Sequence, residues 1–463
     1  MRSADEPVPA PAPPAWTLVL AHHPDPALIG RWTPIGAGLE LGRGGDAFGD
    51  GALDHATLSR THARITSDPR VQDLGSRNGT RVNGAPASGE PLAPGDVIEI
   101  GDLLLLAVRP ARPPRVIDDA GVIGRSGALA EVIDELRASR ASTVLLVGET
   151  GTGKSLLARA MHAWSGRGAI AILPCASVSA ELAARELHGV TAGAFPGAVE
   201  RAGLLAGADG GTLVLDGLDD AAPPVQAALR AFLDDRTLRP VGGAAPRVLD
   251  VRVIATARGT GLVRPELASR VEAFVVRVPP LRDRLEDLPV LARAAFARAG
   301  RAPSKRLALA LYRHAWPHNA RELEGVIERA IASTPDDPVP LSPAIAAHLG
   351  AADPAPTAAL IAAADGSWMR VHGGERINLR RRESLGRLLQ ALIAARRDRP
   401  GQPLSIKDLF DAGWPDEKAA ARSAAGRVYV ALTALRNLGL RDLLRRDDDG
   451  YAIDPDARVE IVD

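Results

Sequence analysis

The pattern of apolar and polar residues changes along the chain, and each pattern predicts a different kind of element. From Trp16 to about Pro110, short alternating runs such as TLVLA, HARIT and DVIEI are separated by Gly, Asn, Asp and Pro. This alternation is typical of a small sandwich of antiparallel strands. From Val122 onward, fully apolar runs such as VLLVG and TLVLD alternate with helical periodicity. That combination predicts a parallel sheet covered by helices on both faces.

The rest of the chain has mainly helical periodicity, which predicts a helical segment over 288–350. In the last hundred residues we predict a strand, three helices and a closing hairpin, at 377–379, 383–395, 405–412, 418–438 and 443–454. Ser405 is the predicted N-cap of the second of these helices. Pro- and Ala-rich stretches predict a disordered tail and two linkers, at 1–15, 111–121 and 351–366. The predicted domains are therefore 16–110, 122–287 with its helical lid 288–350, and 367–463.

Composition excludes several classes of protein. The 463 residues fit about three domains, and 56 basic residues balance 56 acidic ones. A single cysteine, Cys175, excludes a disulfide scaffold and a cysteine-rich zinc site. The longest apolar runs are far shorter than the ~20 residues that span a bilayer, and no signal sequence is recognisable, so we expect a cytoplasmic protein. Only four of the 56 basic residues are lysines, so a lysine here is more informative than an arginine.

Three loop motifs in the first region contain side chains suited to phosphate. They are Gly42-Arg43, the run SRTHA at 59–63, and SRNGT at 76–80 followed by VNG at 82–84. A dianionic phosphate is bound best by guanidinium and hydroxyl donors on rigid loops. In this order and spacing the motifs resemble the forkhead-associated (FHA) domain, which is an all-β sandwich.

The FHA resemblance implies that the first domain binds phosphothreonine peptides. The implied ligands are Arg43 for the phosphate, Ser59 through its hydroxyl, Arg60 and Arg77 for nearby charge, and Asn78 for the peptide backbone. His62 is implied to brace the loops without contacting the ligand. The alternative is a sandwich that has lost peptide binding. It is the less favoured one, because the Arg, Ser and Asn are all present.

A phosphate-binding loop follows the apolar strand at 144–147. It reads Gly148-Glu149-Thr150-Gly151-Thr152-Gly153-Lys154-Ser155 and precedes a helix, the setting that the G-x-x-x-x-G-K-[ST] motif requires. Its backbone amides can surround phosphates at the helix N-terminus, Lys154 can neutralise them, and Ser155 can hold Mg²⁺. Lys154 is the only lysine in the first 304 residues, so the site selects an ammonium group. We therefore predict ATP and Mg²⁺ as ligands.

From about residue 122 to 330 the sequence resembles the AAA+ domain of sigma-54-dependent enhancer-binding activators. The runs that carry the resemblance are GETGTGKS, GAFPGA, GGTLVLD, PPLRDR and WPHNARELE, which begin at 148, 193, 210, 279 and 316. The resemblance implies a ring oligomer with ATP between subunits. It also implies that Asp216 holds the Mg²⁺, that Arg264 and Arg270 are trans-acting arginine fingers, and that Arg321 is the lid sensor.

Three departures from the family pattern affect the working parts of this domain. The Asp-Glu pair of the Walker B strand is here Asp216-Gly217, so the general base is missing. Losing such a group costs on the order of 100- to 10,000-fold in rate. The sensor asparagine is replaced by Arg258, and the threonine of the sigma-contacting loop by Pro196. We therefore expect ATP binding with impaired hydrolysis and impaired sigma-54 contact. The candidate substitutes for the base are Asp219 and Asp220.

The element order of the last domain resembles the winged helix–turn–helix effector of response regulators, including a closing Gly450-Tyr451. Residues 367–446 contain 17 basic and 8 acidic residues, which suits contact with DNA phosphates. Val428, Leu432 and Leu435 are the predicted core positions of the long helix, and the acidic run at 447–449 disfavours contact of the hairpin with a groove. The predicted DNA contacts are Arg422, Arg427, Thr433 and Arg436. The alternative is that these side chains form an ordinary solvated face.

Together these features predict a transcription regulator that couples phosphothreonine recognition to DNA binding. Its partners would be a phosphothreonine-containing protein, DNA and further copies of itself, with no membrane, while contact with sigma-54 or RNA polymerase is doubtful. Two alternatives stay open. One is an active sigma-54-dependent activator ATPase, and the other is a signalling scaffold that does not bind DNA.

Overall fold

The computed structural model describes residues 15–179, 182–243, 245–351, 360–371, 375–399, 402–446, 450–454, 457 and 459–462. The predicted tail, apart from its last residue, and the acidic run at 447–449 lie outside the described residues. The described chain forms two compact units, one of residues 110–295 with 315–327, the other of residues 15–109 with 296–314 and the chain from 328 onward. None of the helices in these described ranges is long and apolar enough to cross a membrane.

The first domain is a sandwich of two antiparallel sheets. Its strands are β1 (Thr17–His22), β2 (Trp32–Pro34), β3 (Gly38–Leu41), β4 (Ala63–Thr66), β5 (Val71–Asp73), β6 (Thr80–Val82), β7 (Ala85–Pro86), β8 (Val97–Ile100) and β9 (Leu103–Val108). Six strands pair in the order β2-β1-β9-β8-β6-β7 and three in the order β3-β4-β5. Alternate residues of both sheets, such as Leu18, Ile65 and Leu105, are fully buried in one core. The predicted sandwich is confirmed.

The core of the second domain is a five-stranded parallel sheet with the order β13-β16-β19-β12-β20. Its strands and the short strands around it are β10 (Ile117–Asp119), β11 (Val122–Gly124), β12 (Thr143–Val147), β13 (Ile170–Pro174), β14 (Gly189–Val190), β15 (Arg201–Ala202), β16 (Thr212–Asp216), β17 (Thr237–Leu238), β18 (Arg247–Val248), β19 (Arg252–Ala257) and β20 (Val275–Arg277). Its helices are α1 (Gly127–Ala138), α2 (Lys154–Ser165), α3 (Ala183–His188), α4 (Pro223–Asp235) and α5 (Pro265–Val271). Separate apolar clusters cover the two faces, which confirms the predicted layers.

The parallel sheet determines where the AAA+ site lies. The carboxyl ends of parallel strands meet at one edge, so the residues that follow β12, β16 and β19 are neighbours. These residues are the phosphate-binding loop, Gly217 and Arg258. The predicted helical segment that follows contains α6 (Leu288–Arg298), α7 (Lys305–Arg313), α8 (Asn319–Ala332) and α9 (Pro343–Leu349).

The C-terminal domain contains a four-stranded sheet, three helices and a hairpin. Its elements are β21 (Leu360–Ala363), β22 (Trp368–Val371), β23 (Ile377–Asn378), α10 (Glu383–Asp398), α11 (Ile406–Gly413), α12 (Ala421–Asn437), β24 (Leu444–Arg446), β25 (Tyr451–Ile453) and β26 (Val459–Val462). Ser405 caps α11, as predicted. Strand β21 lies inside the predicted linker 351–366 and pairs with both β22 and β26. The domain therefore begins earlier than the predicted boundary at 367.

Candidate functional site

The phosphate-binding loop connects β12 to α2, as predicted. Gly151 and Gly153 have left-handed backbone angles, with φ of 80° and 100°. A Cβ at Gly151 would overlap the carbonyl oxygen of His318, so only glycine allows this close approach. Lys154 Nζ donates to the carbonyl oxygens of Gly148 at 2.7 Å and Glu149 at 2.8 Å. The loop therefore has the compact form that presents its amides toward an anion.

The two residues predicted to hold Mg²⁺ are in direct contact. Ser155 Oγ donates to Asp216 Oδ1 at 2.8 Å, and Thr256 Oγ1 donates to the same oxygen at 2.7 Å. The backbone N–H of Gly217 in turn donates to Thr256 Oγ1 at 2.8 Å. A fixed carboxylate beside a hydroxyl is a donor set that suits a hard divalent cation. Thr256, which the sequence interpretation missed, orients this carboxylate.

Arg258 bonds both carboxylates that were candidates to replace the missing base. Its Nε lies 2.6 Å from Asp219 Oδ2, and its Nη2 lies 2.6 Å from Asp220 Oδ1. The Asp219 side chain is only 1% exposed. Gly217 has a left-handed backbone (φ 72°, ψ 53°). Both candidate carboxylates are therefore already hydrogen-bonded to one guanidinium group.

Residues beyond the predicted set support the loop from the side of α8. Arg282 forms a bidentate pair with Glu149, at 2.6 and 2.8 Å, and Asn319 Nδ2 donates to Glu149 Oε2 at 3.2 Å. These hydrogen bonds lower the pKa of Glu149 to about 2. Burial, with the nearby charge of Arg321, lowers the pKa of Lys154. Arg282 and Asn319 belong to the runs PPLRDR and WPHNARELE, which the sequence analysis recognised, but the sequence did not show that these two side chains contact the loop.

The other predicted AAA+ residues lie on α5 and on the loop after β14. Arg264 pairs with Glu266 at 3.9 Å, and Arg270 pairs with Asp234 at 2.5 Å. Arg264 and Asp234 line a groove of about 420 Å³ beside α4. In the loop 193–198, Phe195 is 36% exposed and lies under the guanidinium group of Arg185, 4.7 Å from the ring centre.

The predicted phosphopeptide ligands lie on three neighbouring loops of the FHA region. Arg43 N donates to Ser59 O at 2.9 Å, and Arg77 N donates to Ser59 Oγ at 2.9 Å. Asn78 Nδ2 donates to Thr57 O at 2.7 Å, while the Arg60 side chain is exposed. A Cβ at Gly42 would overlap the carbonyl oxygen of Arg60, which explains the glycine before Arg43. The structure therefore brings together the five predicted residues.

Two further side chains fix the FHA loops. His62 is fully buried. Its Nδ1 accepts from Ser59 N at 3.1 Å and its Nε2 donates to Gly79 O at 3.1 Å, so it braces the loops as predicted. Asp73, which the sequence interpretation missed, accepts from Gly75 N, Ser76 N, Ser76 Oγ and Thr80 Oγ1. Burial alone would raise the pKa of Asp73, but these hydrogen bonds outweigh it and lower that pKa.

The predicted DNA contacts on α12 differ in their surroundings. Arg422 and Arg427 are exposed, and Arg427 pairs with Glu417. Thr433 Oγ1 donates back to Tyr429 O at 2.8 Å. Arg436 donates to Leu444 O at 3.2 Å and lies 5.5 Å from the Tyr451 ring centre. The Arg436 guanidinium group therefore contacts the hairpin and does not project from the helix. The predicted core positions Val428, Leu432 and Leu435 are buried.

Three family models match separate parts of the chain. Residues 39–101 match the FHA domain, residues 122–265 the sigma-54 interaction domain, and residues 282–356 the AAA+ ATPase lid domain. The chain contains these three domains. The predicted FHA, AAA+ and lid domains are thus confirmed, while the winged helix stays a prediction.

Curated relatives match mainly over the AAA+ region. The alginate biosynthesis transcriptional regulatory protein AlgB of Pseudomonas putida is 36% identical over 264 residues, which are 53% of this chain and 58% of AlgB. The DNA-binding transcriptional regulator NtrC of a Bradyrhizobium species is 39% identical over 243 residues, 49% of this chain and 51% of NtrC. The structure of NtrX from Brucella abortus with ATP is 24% identical, with a TM-score of 0.44 and coverage of 68% and 69%. The chain spans little more than half the length of these two curated relatives.

Proposed function

We propose that this protein is an ATP-binding transcription regulator that couples phosphothreonine recognition to DNA binding, with an AAA+ module impaired in hydrolysis. The observation that carries this proposal is the arrangement after Asp216. Gly217 has no side chain to activate water, and Arg258 bonds both nearby carboxylates. Sequence-similar transcription regulators support the regulatory role.

The residues for nucleotide binding are retained. Bound ATP supplies the phosphates that the loop amides and Lys154 are placed to hold, while Ser155 and Asp216 would hold its Mg²⁺. Besides burial, the charges of Asp219 and Asp216 raise the pKa of Lys154 and those of Arg321 and Arg258 lower it. Arg264 and Arg270 have about half of their side chains exposed, so a neighbouring subunit in an oligomer can reach them.

The replacement of threonine by Pro196 argues against contact with sigma-54. Pro196 has no backbone N–H and a fixed φ, and it replaces a threonine hydroxyl at the tip of the contacting loop. Phe195 beside it is retained and partly exposed. We therefore assign this domain to nucleotide-dependent assembly rather than to remodelling of a polymerase.

Purified full-length protein tests the proposal. We expect it to bind a fluorescent ATP analogue and to release little phosphate at steady state, whereas Lys154→Ala loses the binding. The second candidate function is the active sigma-54-dependent activator, which the intact contact between Ser155 and Asp216 favours. Rapid hydrolysis that Lys154→Ala abolishes would establish that candidate and reject ours.

DNA binding is tested on the same full-length protein. Contacts to phosphates predict an affinity that falls steeply between 50 and 200 mM salt, by an order of magnitude or more. The variant Arg422→Ala/Arg427→Ala should weaken binding and flatten the salt dependence, while Arg370→Ala, outside α12, serves as a matched arginine control. Binding that ignores salt, or no binding, would favour the signalling scaffold.

A further inference from the structure

The second unit places the C-terminal hairpin beside the FHA loops. Asn78 Nδ2 donates to Thr57 O at 2.7 Å and also reaches Arg446 O, the last residue of β24, at 3.4 Å. Asn78 is the residue assigned to hold the backbone of a bound peptide. Its amide group therefore already has a backbone partner from the chain itself, at the position where a peptide backbone would bind.

Ion pairs hold the hairpin and α7 on the turn between β8 and β9. Arg445 pairs with Asp102, and both side chains are less than one quarter exposed. Lys305 Nζ lies 3.1 Å from Glu99 Oε2 and donates to Gly101 O at 2.8 Å. Such partly buried pairs are screened less by salt than exposed ones. The acidic residues of the FHA edge thus match the basic residues that pack against them.

Repulsion between arginines opposes this docking. Arg446 lies over the rings of Tyr429 and Tyr451, with centroid distances of 5.1 and 5.4 Å. Burial, with the charges of Arg446, Arg441 and Arg77, lowers the pKa of Arg436. The charge of Arg77 on the FHA loop therefore opposes that of Arg436 in the C-terminal domain. This repulsion acts against the ion pairs that hold the hairpin.

We propose that the hairpin β24–β25 is an internal competitor for the phosphopeptide surface, so that docked hairpin and bound peptide exclude each other. The proposal rests on the phosphothreonine function proposed above. A peptide that takes Asn78 must move Arg446 away, and this movement breaks the pair between Arg445 and Asp102.

Release of the hairpin has a consequence for DNA binding. While docked, Arg445 is paired with an FHA carboxylate and is withheld from DNA phosphates. After release, Arg445 is no longer paired with the FHA carboxylate and is available to DNA phosphates together with the other basic residues of the C-terminal domain. Phosphopeptide should therefore raise DNA affinity, and by linkage DNA should raise phosphopeptide affinity by the same factor.

The direct test measures phosphopeptide affinity when the ion pair is removed and then restored. The probe is a fluorescent library of degenerate phosphothreonine peptides, with the unphosphorylated library as control, on full-length protein. Arg445→Glu should bind the phosphopeptides about 3- to 10-fold more tightly than wild type, because a larger fraction of the protein has the hairpin undocked and the peptide surface open. The charge swap Asp102→Arg/Arg445→Glu should return the affinity toward the wild-type value.

A cysteine pair gives a second measurement on a single variant. Asp102→Cys/Arg445→Cys can be cross-linked selectively, because the native Cys175 is buried, which raises the pKa of its thiol to about 12. The cross-linked protein should lose phosphopeptide binding by more than about tenfold, and reduction should restore it, which shows that the variant is folded.

Each result has a separate meaning. Equal affinities of wild type and Arg445→Glu, or undiminished binding by the cross-linked protein, would overturn the competition. Weaker binding by Arg445→Glu would also overturn it, because the hairpin would then complete the site. Arg43→Ala should abolish binding in every background. If no variant binds a phosphopeptide, the phosphothreonine function fails, and the competition fails with it.

Discussion

Gly217 and Arg258 are the residues on which the proposed impairment of hydrolysis depends. A side chain at Gly217 enters a left-handed backbone (φ 72°), which costs an L-residue about 1 kcal/mol or more. Its Cβ would also lie 3.5 Å from Asp220 Oδ2, on a carboxylate that Arg258 already holds. We therefore predict that Gly217→Glu alone leaves phosphate release near the wild-type level.

Adding Arg258→Asn to Gly217→Glu should raise phosphate release by about tenfold or more, since a positioned general base is worth on the order of 100-fold or more. Steady-state phosphate release measures this, and Lys154→Ala in the same background is the control. If Gly217→Glu alone released phosphate as fast as the double variant, Arg258 would not restrain the new glutamate.

Local patterns identified the residues whose neighbours are close in sequence. The scarcity of lysine singled out Lys154, and the motif placed it at the start of α2. Lys305 is another of the four lysines, and its partner Gly101 lies 204 residues away. Only the folded chain shows such a pairing. Likewise, Asp219 and Asp220 were recognised as carboxylates, while their bonding by Arg258 depends on how β16 and β19 lie side by side.

At the scale of elements, capping rules predicted α11 well. Ser405 Oγ accepts from Asp408 N at 3.1 Å, and Asp408 Oδ2 accepts from Ser405 N at 3.2 Å. Removing such a cap costs about 1 kcal/mol. We predict that Ser405→Ala lowers the hydrogen-exchange protection of the first turn of α11 by about fivefold, and that Ser405→Thr largely keeps it. Unchanged protection in Ser405→Ala would show that packing alone holds this turn.

Elements that depend on distant pairing were harder to predict. The run LIAA at 360–363 has the composition of an Ala-rich linker, but it forms β21 because β22 and β26 pair with it. The hairpin β10–β11 also overlaps the predicted linker 111–121, although its two strands are neighbours in sequence. In contrast, the strands of the parallel sheet are continuous apolar runs, and a run buried on both faces is recognisable without its partners.

At the scale of the whole molecule, distant parts of the chain act on one histidine. His22 ends β1, and its Nδ1 is buried with no hydrogen-bond partner among the described residues. Burial is the main cause that lowers the pKa of His22 to about 4, and the charges of Lys305, His23 and Arg445 add to it. These groups belong to the FHA domain, α7 and the C-terminal hairpin. Their packing around His22 should make the stability of the second unit depend on pH.

The sign of that dependence follows from the two pKa values. The ordinary pKa of histidine, 6.5, applies to His22 in the unfolded chain, whereas its pKa in the folded unit is about 4. Stability is therefore complete above 6.5 and falls as the pH falls from 6.5 to 4. At about 1.4 kcal/mol per pKa unit, the loss is on the order of 3 kcal/mol.

The variant His22→Phe should lose this part of the pH dependence and keep the smaller part from His23 and His62, whose pKa values burial also lowers. Urea unfolding of wild type and variant at pH 7.5, 6.5, 5.5 and 4.5 measures the difference. We expect the stability of the variant relative to wild type to rise as the pH falls, because a phenylalanine cannot be protonated in either state. Parallel curves would mean that folding does not lower the pKa of His22, and the burial of His22 in the second unit would then need revision.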